Sequence, residues 1–272
     1  MRKISILPHF RRSYGEMNQQ SSHAVSKLLK LVGTIALYSS LFSPALAQIP
    51  ASSRQVVVAI APDWDSRHAT LQCYERKETG SAWSPAFKQG WPVLLGSKGL
   101  AWGRGEFAVP RHTSIPMKVE HDGRAPAGVF EIGRVFGNAT EPPPHTTLPY
   151  VQVGPYDAWV DDPKLPHYNQ YVRFDPAHLP PWFPSQRMRL GDNAYKWLVE
   201  IRHNATPPSP GFGSAIFFHV RRGPDRPTAG CTTMALDDLE VLIRWLKPDK
   251  APVYVLLPRA EYQKLKGQWE LP

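Results

Sequence analysis

The chain has 272 residues, 42% of them hydrophobic and 11% aromatic, enough for a substantial core and too apolar for global disorder. Its formal charge of +9 is concentrated at the start: residues 1–47 hold six Lys/Arg and one acid, and the remainder carries a net of +4, which is no nucleic-acid stripe. Two cysteines without a CxxC pair or a cysteine-histidine cluster argue against a structural zinc site.

Residues 1–47 read as a secretory signal. Lys27 and Lys30 precede an apolar run, Leu31 to Phe42, too short to span a bilayer with margin. Ala45 and Ala47 then supply the small-x-small pattern of a cleavage site. The start is Met1 or Met17. The expected division is a signal over 1–47 and one catalytic domain over 48–272, exported and without a membrane span once the signal is removed. An uncleaved anchor is the other reading.

Past the leader, "QVVVAIA" (55–61) and "ATLQCYER" (69–76) predict strands around a turn at Pro62-Asp63. "WPVLLG" (91–96) and "AGVFEIGRVFG" (127–137) predict two more. The glycines of "GLAWGRGE" match neither a P-loop nor a dinucleotide fingerprint. Residues 141–184 are proline-rich and studded with aromatics such as Tyr150, Trp159, Tyr171 and Trp182. They predict irregular chain or sheet edge, either a rigid packed loop or a cap beside a cleft. Near the end, Leu239, Leu242, Ile243 and Leu246 fall at helical spacing, with Asp237 and Glu240 placed as a capping box and Pro248 as the stop. "APVYVLLP" (251–258) predicts a buried strand.

Between the apolar stretch "AIFF" and that helix lies "HVRRGPDRPTAGC", from His219 to Cys231. Gly223, Pro224, Pro227 and Gly230 let the chain turn back on itself. A thiol becomes a nucleophile as its thiolate, which a nearby imidazole and a helix N-terminus both favour. Gly230 frees the backbone before the sulfur, so that N–H groups of Gly230, Cys231 and Thr232 can converge as an oxyanion hole. A cysteine-dependent acyl-transfer enzyme follows, with Cys231, His219 and Gly230 as the catalytic set. The bland alternatives are a buried Cys231 beside a satisfied strand histidine, and a Cys73–Cys231 disulfide.

These residues resemble the L,D-transpeptidase (YkuD) catalytic domain, whose pattern is a histidine, a spacer, then Ser/Thr-X-Gly-Cys. Here it falls on His219, Thr228, Gly230 and Cys231. "DGRAPAGVFEIG" (122–133) and "WVDDPKLPHYNQ" (159–170) extend the resemblance, which covers roughly 54–258. The chain departs from the usual motif at Ala229, where the family has a second histidine, and at Thr232 and Thr233, where an arginine or asparagine often follows the cysteine. Its spacer is also shorter than in the best-known branch.

The resemblance implies a mainly β (α+β) sandwich-like fold with a few peripheral helices and long proline-rich loops. It implies that Cys231 attacks the carbonyl of a peptidoglycan stem peptide to form a thioester, which passes to the amine of a second stem. Neither metal nor organic cofactor is needed, and the partners are donor and acceptor stem peptides in the periplasm or cell-wall space. Asp162 or a backbone carbonyl orients the imidazole. Arg221, Arg222 and Arg226 are the candidates for substrate carboxylates, or else solvated loop charges, and Thr228, Thr232 and Asp162 are expected on the substrate side. Two rivals stand: capture of the thioester by water, and a non-catalytic wall-binding domain.

Overall fold

The computed structural model describes residues 49–105, 114–188 and 191–272; the expected leader, 1–47, lies outside them. Strands β1 (Gln55–Ala61) and β2 (His68–Glu75) pair as an antiparallel hairpin, in register from Gln55↔Glu75 to Ile60↔Thr70. Along β2, Ala69, Leu71 and Cys73 are buried while His68 and Thr70 are exposed, the period-2 pattern of a half-buried strand. β3 (Ser84–Pro85) is a short edge on β2. β4 is Trp91–Leu94, β5 is Leu100–Trp102 and β6 is the long strand Ala125–Gly137.

The fold is mainly β, as expected, and its layers are joined on both sides. β1 runs parallel to β13 (Val253–Pro258), which is antiparallel to β6. β6 pairs with β10 (Trp197–Ile201), β10 with β11 (Phe217–Val220), and β11 in parallel with β12 (Thr232–Met234). β12 meets β4 at Thr233↔Leu94, and β4 returns to β2. Because β2 also pairs with β1, eight strands form a continuous circuit. Closure removes the unpaired edges of an open sheet. Inside it, Val56, Val58, Phe130, Phe218, Met234 and Tyr254 are among the core side chains.

The C-terminal helix, α2 (Leu236–Trp245), follows the short α1 (Phe183–Gln186). Leu239, Leu242, Ile243 and Leu246 are all fully buried, as their spacing predicts. The capping box does not form. Ala235 occupies the N-cap without a side-chain bond, Asp237 lies within the first turn, and Glu240 instead accepts from the Trp197 indole at 3.0 Å. A tertiary partner outbid the local one. α3 (Arg259–Leu265) packs on β13 and β1.

The proline-rich stretch forms more structure than expected. β7 (Tyr150–Gln152) adds in parallel to β6, and β8 (Asp157–Trp159) pairs with β9 (Tyr171–Arg173) as a separate hairpin. Its aromatics cover the outer face of β6, β10 and β11. Trp159 meets Phe217 edge-on at 4.7 Å and Phe136 at 5.7 Å, in a second apolar cluster with Leu198 and Met188. Tyr195, Ala215 and Cys231 pack against this same cluster.

Candidate active site

Alternation along β11 decides where His219 goes. Phe218 faces inward, with its ring 4.6 Å from that of Tyr254, so Phe217 and His219 face the second cluster. The loop after β11 returns to β4: Thr228 N–H donates to Leu95 O at 2.9 Å and Ser97 N–H to Thr228 O at 2.8 Å. The chain then enters β12 beside β11, with Thr233 opposite His219. Parallel pairing of these two strands brings Cys231 and His219 to one cleft of about 380 Å³.

The imidazole is buried, 5% exposed, and its Nδ1 lies 3.0 Å from Val220 O. A carbonyl only accepts, so Nδ1 carries the proton and Nε2 is the basic nitrogen. Burial lowers the His219 pKa to about 4, against the opposing pull of the Val220 carbonyl and with the Arg222 guanidinium adding to the fall. The backbone carbonyl is thus the orienting group. Asp162 is not: its carboxylate caps its own turn by accepting from Lys164 N–H at 2.9 Å, and its neighbour Asp161 lines the cleft instead. Tyr195 lies edge-on to the imidazole at 5.4 Å, held under Arg222, which is paired to Asp192 at 2.6 Å.

Cys231 is half-buried, and its Sγ–H donates to Ala215 O at 3.4 Å. Burial pushes the thiol up to about 11; a backbone hydrogen bond from Phe217 and the Lys118 ammonium act the other way. The resting pair is therefore a neutral thiol and a neutral imidazole, not an ion pair. A helix dipole does not aim at the sulfur, because β12 intervenes before α2 begins at Leu236. Both cysteines are free, and Cys73 lies in the core at 1% exposure, which removes the disulfide reading.

The turn before the sulfur is tied by Thr228. Its hydroxyl donates to Cys231 O at 2.7 Å and accepts from Gly230 N–H at 3.0 Å. The Gly230 N–H is thus committed within the turn. Gly230 is required by close approach: a Cβ there would lie 2.9 Å from Arg124 O. Of the expected substrate residues, Arg222, Arg226 and Thr228 line the cleft. Thr232 does not; it is 1% exposed and bonded to the Tyr254 hydroxyl at 2.9 Å, since its strand position faces the core. Arg221 lies outside the cleft lining as well.

Sequence reasoning missed Lys118, Glu120, Asp161, Tyr195 and Ser214, all on the cleft wall. It also missed Asn169, although "YN" was part of the quoted segment. Asn169 Oδ1 accepts from Ala215 N–H at 3.0 Å, and its Nδ2 donates to His203 O at 2.9 Å and Asn204 O at 2.8 Å. This one side chain binds the proline-rich cap to the residue whose carbonyl holds the thiol. Asn169→Ala leaves those backbone groups unpaired at a position only 6% exposed. It should cost about 3 kcal/mol in urea unfolding, at roughly 1–3 kcal/mol for each orphaned buried group. Asn169→Asp should cost as much, because it turns a donor toward two carbonyls into an acceptor. A loss below about 1 kcal/mol in both variants would remove the anchoring role.

The model of the L,D-transpeptidase catalytic domain, YkuD, matches residues 83–255. Comparison with curated proteins and with solved structures gives no match.

Proposed function

Because the chain belongs to the L,D-transpeptidase (YkuD) catalytic domain family, we propose that it cross-links peptidoglycan stem peptides by acyl transfer through a Cys231 thioester. One observation carries this reading: Cys231 and His219 line the same cleft while Nδ1 of the histidine is tied to Val220 O, which leaves Nε2 as the base. Substrate binding brings the donor carbonyl to the sulfur. Nε2 takes the thiol proton as sulfur bonds to the carbonyl carbon, and the imidazolium returns it to the leaving amine. Since Gly230 N–H is held by Thr228 and Thr232 lies in the β12 ladder, the N–H of Cys231 is the oxyanion donor we assign. An amine then takes the acyl group and releases the thiol. This chemistry needs no metal or organic cofactor.

Residues 1–47 serve in this reading as a secretory signal that delivers the domain to the periplasm or cell-wall space, where its polymer lies. No helix among the described residues is long and apolar enough to cross a membrane. Incubation of the purified protein with muropeptides, followed by mass spectrometry, tests the proposal. Dimers linked 3-3 or 1-3 are the expected products. Shortened monomers alone would mean hydrolysis, and no turnover with an unlabelled Cys231 would mean a wall-binding domain.

The arginines now separate. Arg222 is engaged by Asp192, whereas Arg226 lines the cleft, is exposed, and makes no ion pair among the described residues. Arg226→Ala should therefore lower kcat/KM for a donor with a free carboxylate about tenfold, the effect of one charged hydrogen bond. An amidated donor should be hardly affected, and Arg221→Ala should change neither. Equal, less than twofold effects of Arg226→Ala on both donors would make it a solvated charge.

A further inference from the structure

One carboxylate of the cleft has no part in forming the thioester. Glu120 is fixed in the wall by its own N–H, which donates to Gly211 O at 2.9 Å. Two hydroxyls hold its side chain: Tyr168 OH and Ser214 Oγ both donate to Oε2, the second at 3.1 Å. Oε1 takes no protein donor among the described residues. Tyr168 is buried, and that burial, with Glu120 beside it, raises its phenol out of the working range, so it remains a donor.

The nearby cations do not neutralise Glu120. Lys118 is paired to Asp122 at 2.8 Å and Arg222 to Asp192. Glu120 itself makes no ion pair among the described residues. The cleft therefore presents a rigid, uncompensated negative charge on the wall that it shares with the Cys231 sulfur. Such a group is matched by a cation, and a carboxylate pre-set by two hydroxyls gains the ion pair without first losing side-chain entropy.

This has a direct bearing on the second half of the proposed acyl transfer, on which it rests. Water needs no anchor. An alkylamine acceptor arrives almost wholly as its ammonium at neutral pH, since such amines titrate near 10.4. We propose that Glu120 is the specificity-determining residue for the acceptor, binding its primary alkylammonium beside the thioester and so favouring transfer over hydrolysis. The ammonium gives one proton to Glu120, which releases it to solvent. The freed amine nitrogen bonds to the acyl carbon, the carbon–sulfur bond breaks, and the amine's second proton passes through His219 to the sulfur.

The test compares the unmodified protein with Glu120→Gln and Glu120→Asp, using a stem-peptide donor and two acceptors. One acceptor is a diamino acid, charged at neutral pH; the other is hydroxylamine, which is largely uncharged there. Intact mass gives the Cys231 acylation rate, and product analysis gives transfer against hydrolysis. Glu120→Gln keeps both hydroxyl bonds, so acylation should stay within about twofold. Its KM for the diamino acid should rise at least about tenfold, the effect of losing one charged hydrogen bond, with the thioester diverted to water. Its use of hydroxylamine should be unchanged, and Glu120→Asp should recover part of the loss. A merely structural role would lower acylation and both acceptors together, and that result overturns the proposal, as does an unchanged KM for the diamino acid. Failure of the unmodified protein to form any acyl-enzyme would instead overturn the acyl-transfer reading, and the acceptor role with it.

Discussion

Cys231→Ala should abolish acyl transfer, lowering it by about 10³-fold or more, while Cys73→Ala should retain most of it. Removing the nucleophile of a covalent mechanism closes the thioester path, and the remaining cleft supplies only binding. The two cysteines differ in what surrounds them. Cys73 projects from β2 into the core, and burial raises its thiol out of reach of neutral pH. Cys231 opens on the cleft, with Lys118 exerting a favourable field and the basic histidine on the same wall. Alanine is the better probe at position 73, since a serine would bury an unsatisfied hydroxyl. Intact mass after exposure to a stem-peptide donor should show one acyl adduct in Cys73→Ala protein and none in Cys231→Ala. An adduct that survives the loss of Cys231 would end the mechanism.

Replacing His219 by alanine should lower acylation by about 10²–10⁴-fold, the usual range for general acid–base catalysis. Its pH dependence is distinctive. A base lowered to about 4 is neutral, and so competent, at every pH above that value. Activity should stay level from pH 7 to about 5 and fall only as pH drops through about 4, whereas an unshifted histidine would halve it near 6.5. Thiolate absorbance should be absent at neutral pH and rise toward about 11, the value to which burial pushes Cys231. A thiolate present at pH 7 would replace base catalysis by a preformed ion pair. The same shift acts on stability. His219 and His203, lowered by burial to about 4 and about 3, resist protonation when folded. Below pH 6.5 the unfolded chain binds protons that the folded chain refuses. Stability is thus fully present above 6.5 and is lost as pH falls toward those values.

What the sequence determined by itself was local in chain or repeated with a period. Alternation in 69–75 placed Cys73 inward, and helical spacing buried Leu239, Leu242, Ile243 and Leu246. The His219 and Cys231 pair was legible because both lie within one loop, whose glycines and prolines announce its turns. The thirteen residues from 219 to 231 could be read without knowing what they pack against.

What only the tertiary structure decided involves groups brought together from distant parts of the chain. Glu240 has the spacing of a capping residue, yet the Trp197 indole, 43 residues away, competes successfully for its carboxylate. Asp162 and Asp161 are adjacent and chemically alike; the turn that Asp162 caps leaves Asp161 on the cleft. Thr232 looks like a substrate residue until the β11–β12 pairing turns it to Tyr254. Glu120 meets Tyr168 and Ser214 across 48 and 94 residues, and Asn169 meets Ala215 across 46. No local propensity encodes these encounters. Each is selected because closing the sheet and folding the proline-rich stretch over it would otherwise bury polar groups without partners, at roughly 1–3 kcal/mol apiece. The chemistry of the nucleophile was written in one loop, while the charge and shape of the cleft around it arose from the whole circuit of strands.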